Sequence, residues 1–384
     1  MDDLPEPLLA DVLLRLPLVT LYRFKVVCTK WLSLISAPYF LRQYASRTSI
    51  SPRWAFLSRA EYDNYSKRYR AQAHQLLIDL HSGDLKCCPN PISMRSYRIL
   101  GVSNGLVLYE WLSWGSGAHE TNWGVCDPVT KRCVVLPPCI SEHFWSDGCG
   151  FLTQMKEGVV ASYTVVKFAG IPRRFEVFLS GTGKWKAYAP SHEYIMSGSL
   201  FSAPTDLHGI LHWMHSFQGI FAYDPLRNPG AIRNIALPAD DGGRVSKEDR
   251  IGMCGTHDGH LRYLESCAGL SLSVWVLNDY GCGDSWLLQH RARYADILQD
   301  VHPETLTKKI KPVSFHPLDP DVVYLGCDRV FVSYNMRDGK CHVLKTFDGD
   351  MVYNNNWDRA FCLVVPTIPP SLPSPSPPNL ALRL

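Results

Sequence analysis

The chain has 384 residues, of which 46% are hydrophobic and 20% are charged, and its formal net charge is +3. These values are typical of a globular protein, and the small net charge excludes a general electrostatic attraction to nucleic acid or membranes. No apolar run reaches the roughly 18 residues that a membrane-spanning helix needs. Asp2, Asp3 and Glu6 precede the first apolar segment, so we expect no secretory signal.

The first forty residues predict three short helices. Apolar residues recur at helical spacing in the first and third segments, and prolines bound both. Helices this short are marginal on their own, so we expect the module to need a partner surface, on this chain or on another. The segments are defined by Leu9, Val12, Leu13 and Leu16; by VTLYRFKVV; and by Val27, Trp31, Leu34 and Ile35.

The stretch LPEPLLADVLLRLPLVTLYRFKVVCTKWLSLISAPYF, residues 4–40, resembles the F-box, a helical module that docks on a Skp-family adaptor of a cullin–RING ubiquitin ligase. The resemblance covers nearly the whole module without gaps. It implies that twelve residues include most of the adaptor contacts, and that some of the twelve form the module's core instead. The twelve are Leu4, Pro5, Leu8, Leu9, Val12, Leu13, Leu16, Pro17, Leu21, Val27, Cys28 and Trp31.

A short motif then recurs: glycine, any residue, Val or Leu, any residue, aromatic. It occurs as GLVLY from Gly105, GILHW from Gly209 and GHLRY from Gly259. Turn sequences rich in Gly, Asn, Asp and Pro separate the apolar runs between these motifs. The pattern predicts about six units of roughly fifty residues, each with three or four antiparallel strands, which is typical of a β-propeller. A double β-sandwich is the alternative.

The segments SNGLVLY, VCDPVTKRCVVLPP, LHGILHW and SFHPLDPDVVYL resemble the kelch-like propellers that follow the F-box in large plant families and usually hold substrate. The predicted fold is therefore multidomain, α plus all-β, with a three-helix F-box followed by a roughly six-bladed propeller. We predict an F-box module over 1–42, a connector over 43–75 that includes a candidate first propeller strand, a propeller over 76–365 and a disordered Pro/Ser-rich tail over 366–384.

Four patterns in the chain are superficially similar to active or metal sites. GVSNG around Ser103 matches a nucleophile motif, but a strand follows it where that motif needs a helix. His208 and His212 have the spacing of a helical zinc pair, but the segment is predicted to be a strand. Cys126 and Cys133 lack the spacing of a metal knuckle, as does Cys87-Cys88. We predict no catalytic residue, no metal and no cofactor, and we expect the 13 cysteines to be reduced thiols.

Two aromatic-rich segments, residues 110–123 and 141–148, hold four tryptophans that are candidates for substrate binding because exposed aromatics mark binding surfaces. Packing between blades is the alternative role. The candidates are Trp111, Trp114, Trp123 and Trp145.

The resemblance implies a non-catalytic substrate receptor of a Skp–cullin–F-box ubiquitin ligase. Such a protein binds the adaptor through the F-box and, through the adaptor, the cullin and RING subunits, and it binds a target protein through the propeller. We expect the protein to be nuclear, cytoplasmic or both, and we expect no nucleic-acid or membrane partner. Two alternatives stay open: a kelch-type propeller that binds a small molecule or glycan, and an F-box protein without a degradation substrate.

Overall fold

A computed structural model describes the N-terminal module, most of the strand-rich region and parts of the tail. No helix in these parts is long and apolar enough to span a membrane. The described residues are 5–16, 20–21, 24, 27–37, 39–40, 43–44, 53–57, 62–63, 68–69, 76–78, 85–87, 97–114, 119–128, 132–140, 146–156, 159–169, 174–190, 203–215, 219–238, 250–267, 270–299, 301, 310–327, 330–346, 361–365, 372–373 and 381–383.

The N-terminal module contains helices α1 (Glu6–Leu13) and α2 (Thr29–Ser36). A third helix is not confirmed, because most of VTLYRFKVV lies outside the described residues. The module buries part of its apolar surface in a small core of its own. Residues beyond the predicted helices complete this core, whose members are Leu9, Ala10, Leu13, Leu14, Leu21, Leu34, Ile35, Phe40 and Tyr44.

Five short strands follow the module. β1 forms a two-stranded sheet with a strand near the C-terminus, while β2 pairs with β3 and β4 pairs with β5. Their bounds are β1 (Arg53–Leu57), β2 (Tyr62–Asp63), β3 (Arg68–Tyr69), β4 (Leu76–Ile78) and β5 (Leu85–Cys87).

Five larger antiparallel sheets come next, and each is built mainly from four strands that are consecutive in the sequence. We number these sheets as blades 1 to 5. Blade 1 contains β6 (Tyr97–Ser103), β7 (Leu106–Trp114), β8 (His119–Asp127) and β9 (Arg132–Val135). Blade 2 contains β10 (Ser146–Lys156), β11 (Val159–Ala169), β12 (Arg174–Leu179) and β13 (Lys184–Tyr188). Blade 3 contains β14 (Thr205–Leu207), β15 (Ile210–His215), β16 (Gly219–Tyr223) and β17 (Ile232–Ile235).

Blade 4 contains β18 (Arg250–His257), β19 (His260–Cys267), β20 (Ser271–Asn278) and β21 (Ser285–Arg293). A short helix, α3 (Tyr294–Ile297), leads to blade 5, which contains β22 (Lys311–Phe315), β23 (Val322–Cys327), β24 (Val330–Asn335) and β25 (Cys341–Thr346). The last strands are β26 (Phe361–Val365), which pairs with β1, and β27 (Ala381–Arg383).

The blades form a β-propeller, as the repeat predicts. The first strands of neighbouring blades lie side by side, β6 with β10, β14 with β18 and β18 with β22. A buried apolar cluster joins each blade to the next, from blade 1 to blade 5. The expected number of about six blades is not confirmed, because the described residues form five four- or five-stranded sheets.

The recurring glycine motif marks the hairpin between the first and second strands of a blade. Asn104 and Gly105 both have positive φ, 43° and 80°, which is the backbone of a tight hairpin turn that favours Asn-Gly. The turns at Gly209 and Gly259 have the same geometry. The aromatic residue four positions later is buried in each case, as Tyr109, Trp213 and Tyr263.

The tail departs from the prediction that it does not pack. β27 adds to the outer edge of blade 1, where Leu382 lies opposite Cys133 on β9. Leu372 packs against the cluster between blades 1 and 2. Residues 379–384, NLALRL, contain no proline, so this part of the tail can form an edge strand.

The cysteines depart from the prediction in one place. Cys126 and Cys133 are directly opposite each other on β8 and β9, with Cα atoms 4.1 Å apart, and a disulfide joins them. The expectation of reduced thiols is therefore wrong for this pair, because strand register rather than sequence spacing brings the two side chains together. Cys149 and Cys254 are buried and belong to no disulfide.

His212 links blades 3 and 4 from the interior. Its side chain is fully buried, and its Nε2 shares a hydrogen bond of 2.8 Å with the Tyr280 hydroxyl. Burial lowers the pKa of His212 to about 4, so the folded protein keeps this imidazole neutral in mildly acidic solution. The unfolded chain binds a proton there near pH 6.5, so the contribution of His212 to stability is present above that pH and declines below it.

We predict that acidification destabilises the wild-type protein more than His212→Gln, in which the side-chain amide keeps a donor for Tyr280. Between pH 7.5 and 5 the wild type should lose about 2 kcal/mol more of its free energy of unfolding than the variant. Urea denaturation at both pH values measures this difference. His208→Gln, at an exposed turn, is the matched control and should follow the wild type. Equal losses in the wild type and His212→Gln would contradict the assignment.

Candidate functional site

The N-terminal module has apolar residues on its surface as well as in its core. Leu8 and Val12 lie one turn apart on α1 and are 58% and 53% exposed. Val27, before α2, is 59% exposed, and Leu32 and Tyr39 are also largely exposed. We call these five residues the exposed apolar set. Large apolar side chains exposed together on a small module indicate a protein-binding surface.

The structure divides the twelve predicted adaptor contacts into surface and core. Leu4 and Pro17 lie outside the described residues. Pro5, Leu8, Val12 and Val27 are exposed, and Leu16, Cys28 and Trp31 are partly buried; Leu9, Leu13 and Leu21 are buried in the module's core. The exposed and partly buried residues are therefore available to a partner, whereas the buried residues support the module from inside.

Sequence reasoning missed Leu32 and Tyr39 as surface candidates. Leu32 lies next to the buried stripe of α2 rather than within it, because Leu34 and Ile35 point into the core. An apolar residue outside the buried stripe of a short amphipathic helix is the signal that could have identified it.

Two hydrogen bonds join the first part of the module to its later part. The Tyr39 hydroxyl donates to Glu6 Oε1, in the first turn of α1, at 3.2 Å, and the Tyr44 hydroxyl donates to the carbonyl of Leu16, just after α1, at 2.9 Å. Phe24 and Trp31 also pack edge to face, with ring centroids 4.9 Å apart. The two hydrogen bonds lie at the two ends of the α1 region and so help to position Leu8 and Val12.

Strand order assigns each connection in the propeller to one of two faces. Turns between the first and second strands, and between the third and fourth, lie on one face. We call the other the loop face, because it holds the connections between second and third strands and those between blades. The end of β7, the start of β8 and the start of β10 lie on this face, and they carry the described parts of the two aromatic-rich segments.

The structure buries two of the four candidate tryptophans. Trp111 packs in a cluster within blade 1, and Trp123 packs between blades 1 and 2. Trp114 is the last residue of β7, opposite His119, and Trp145 lies outside the described residues. Burial removes the basis for treating Trp111 and Trp123 as exposed binding aromatics, and the alternative of packing within and between blades describes them better.

A cavity of about 360 Å³ opens beside Trp123 on the loop face. Residues 121–123, at the start of β8, form one side, and residues 135–139, which lead from β9 toward blade 2, form the other. Residues 121–123 belong to the first aromatic-rich segment. Sequence reasoning did not identify the second side, whose signal is the run LPPC after a strand.

The candidate catalytic and metal-binding patterns have structural roles. Ser103 ends β6 and shares a hydrogen bond of 2.8 Å with Thr153 of blade 2, and a strand rather than a helix follows it. His212 and His215 are buried on a strand, and His208 lies in an exposed turn. Among the described residues no group of three or more His, Cys, Asp or Glu side chains could hold a metal ion.

Comparison with known proteins identifies both parts of the chain. Residues 1–43 match the F-box domain, and residues 83–364 match the family described as "F-box protein At3g26010-like, beta-propeller". The chain is 27% identical over 368 residues to the "Putative F-box/kelch-repeat protein At1g15680" of Arabidopsis thaliana, covering 88% of this chain and 82% of that protein.

Two other Arabidopsis thaliana proteins are similar. The "F-box protein At3g26010" is 26% identical over 370 residues, which cover 90% of this chain and 80% of that protein. The "Putative F-box protein At3g28280" is 28% identical over 222 residues, which cover 56% of this chain and 70% of that protein. The chain belongs to the family of plant F-box proteins with a C-terminal At3g26010-like β-propeller.

Proposed function

We propose that this protein is the substrate-receptor subunit of a Skp–cullin–F-box ubiquitin ligase. The F-box binds a Skp-family adaptor, which connects the chain to the cullin and RING subunits, and the propeller binds a target protein. The protein acts in the nucleus, the cytoplasm or both. The exposed apolar set of the N-terminal module is the observation on which this proposal rests.

The leucines and valines of the exposed apolar set support adaptor binding because they are not part of the module's core. Leu9, Leu13 and Leu34 already fill the core, so Leu8, Val12 and Leu32 leave water only when another protein covers them. Full burial of such a side chain contributes about 1.5–3 kcal/mol. A few side chains of this kind account for most of the energy of a typical interface.

The receptor is not an enzyme in this proposal. Ser103, His212 and His215 all have structural partners or buried positions, and the described residues contain no candidate metal cluster. The receptor contributes proximity instead. Holding a target beside a ubiquitin carrier raises the effective concentration of the target's lysines, while the transfer chemistry belongs to other subunits.

The loop face is where we place the target. Its connections between blades, such as 189–204 and 236–249, are longer than the connections of the opposite face. Long loops on a rigid scaffold can vary without disturbing the blades, which suits a surface that recognises one target.

A sixth blade that closes the ring is also part of the proposal. β26 lies beside β6, as the first strands of other neighbouring blades do, and β1 lies beside both β26 and β4. Tyr324 and Phe331 of blade 5, and Val107 and Tyr109 of blade 1, are buried although none of them belongs to a cluster between two of the five blades. A sheet in the order β26, β1, β4, β5 would cover both surfaces.

We predict that Leu8→Asp combined with Val12→Asp weakens binding to a Skp-family adaptor at least about 30-fold, because two exposed apolar contacts are replaced by carboxylates. Isothermal titration of the full chain with purified adaptor measures the affinity. The matched control is Leu226→Asp, a leucine that is 41% exposed in a propeller turn and should leave adaptor binding unchanged. Leu13→Asp is unsuitable, since it places a charge in the module's core.

An unchanged affinity in the Leu8→Asp and Val12→Asp double variant would show that α1 is not the docking helix. Circular dichroism should confirm that the double variant keeps its fold, because both side chains point away from the core.

We predict that Ala55→Pro in β1 destabilises the propeller, because proline removes a ladder donor opposite Leu363 of β26. A loss of about 1 kcal/mol or more should lower Tm by about 2 °C or more. Ala55→Ser keeps the N–H and serves as the control. If Ala55→Pro and Ala55→Ser melt together, β1 does not close the ring.

A further inference from the structure

Blade 1 has one strand more than the other blades. Its sheet runs in the order β27, β9, β8, β7 and β6, whereas the described residues of blades 2 to 5 form sheets of four strands each. β9 is the fourth consecutive strand of blade 1, as β13, β17, β21 and β25 are in the later blades. β27 is therefore an addition at the outer edge of a blade that already has its four consecutive strands.

The pairing of β8 with β9 decides which backbone groups of β9 face this outer edge. The Cα atoms of Cys126 and Cys133 are 4.1 Å apart, which is the short spacing of a pair that exchanges no hydrogen bonds. The Leu136 N–H donates to the Trp123 carbonyl at 2.8 Å, which gives the same alternation along β9. The N–H and C=O groups of Cys133 and Val135 therefore point away from β8 and toward the outer edge.

β27 uses part of this edge. Its register has three residue pairs, and the middle one, Leu382 with Cys133, is the pair that exchanges hydrogen bonds. Cys133 and Val134 are both buried, and β27 places Leu382 and Ala381 opposite them. The edge thus combines outward backbone groups with apolar positions, which is the combination that an added strand needs.

The third pair of β27 places like charges opposite each other. Arg383 lies opposite Arg132 in the register, and like charges at directly opposite positions of an antiparallel pair are destabilising. Arg132 is exposed and forms no ion pair with a residue that the structure describes. A strand with an acidic residue at the position of Arg383 would form a favourable pair with Arg132 instead. β27 is therefore a weaker match to this edge than such a strand.

We propose that the outer edge of blade 1 is a docking site for an extended segment of another protein, and that β27 is the chain's own competitor for it. The partner segment contains no proline and has apolar residues opposite Cys133 and Val134. It carries Asp or Glu opposite Arg132. Main-chain hydrogen bonds to Cys133 and Val135 hold the segment, and the acidic residue gives it the advantage over β27.

Docking at this edge goes beyond the receptor role and does not depend on it, because it involves neither the F-box nor the loop face. The tail would set a threshold for the partner. Residues 366–380 connect β27 to the strand before it, and a short linker gives an effective concentration on the order of millimolar. A partner segment must therefore pair more strongly than β27 does.

The experiment measures the binding of two fluorescein-labelled, C-terminally amidated hexapeptides to the full chain by fluorescence anisotropy. NLALRL is the sequence of residues 379–384, and NLALEL carries Arg383→Glu. The full chain itself carries Leu382→Pro, which removes the N–H that pairs with the Cys133 carbonyl and so releases the edge from β27. We expect NLALEL to bind this chain about 3- to 10-fold more tightly than NLALRL. The wild-type chain should bind both peptides at least about 3-fold more weakly, because β27 competes.

Two further substitutions are made in the Leu382→Pro chain, and melting curves verify that each chain is folded. Val135→Pro removes an outward N–H without breaking the ladder to β8, and it should weaken both peptides at least about 5-fold. Val135→Thr keeps the N–H and is the matched control. Arg132→Gln should remove most of the preference for NLALEL.

Three results would overturn the docking site: no binding to the Leu382→Pro chain, equal binding by the wild type, or binding that survives Val135→Pro. Equal affinities for the two peptides, or tighter binding of NLALRL, would overturn the acidic character of the partner. A preference for NLALEL that persists in Arg132→Gln would overturn the role of Arg132.

Discussion

Apolar contact between neighbouring blades is the constraint on which the rest of this structure depends. Each blade is a twisted sheet with apolar side chains on both surfaces, so no blade can bury its core alone. Buried clusters join blade 1 to blade 2 and each later blade to the next. The hairpin glycines serve this packing, because a tight turn after the first strand places an aromatic residue such as Trp213 in a junction. Residues of the connections that lie outside these clusters can then vary without disturbing the blades, and recognition can be located there.

The same constraint explains which features could be predicted from the sequence. The glycine motif indicated both the hairpins and the buried aromatic positions, since turn chemistry and alternation are local properties of the chain. Blade number was harder, because β1 and β26 are about 300 residues apart in the sequence and their pairing leaves no local pattern. The β27 edge strand was missed for the same reason, and the Cys126–Cys133 disulfide, across a single hairpin, was missed because the register of β8 and β9 was not predicted. Strand register brings each pair together, and spacing alone does not show it.

The N-terminal module shows a different limit. Helical periodicity located α1, but both sides of α1 are apolar, so periodicity could not separate Leu13, which is buried, from Val12, which is exposed. Only packing against Leu34, Phe40 and Tyr44 decides that question. The role of Trp123 stayed open in the sequence for a related reason, because a large aromatic next to a predicted loop can as easily belong to a blade junction. In both cases burial depends on distant parts of the chain.

In the proposed function the two parts of the molecule have separate tasks. The small helical module binds the adaptor through its exposed apolar surface, and the propeller binds the target through the loops on one face. The most direct test of this account is affinity purification of the full chain and of a chain lacking residues 1–44, with mass spectrometry of the proteins that co-purify. The account predicts a Skp-family adaptor and a cullin with the full chain only, and a shared set of other proteins with both. Absence of the adaptor from the full-chain sample, or its presence in both samples, would contradict the account.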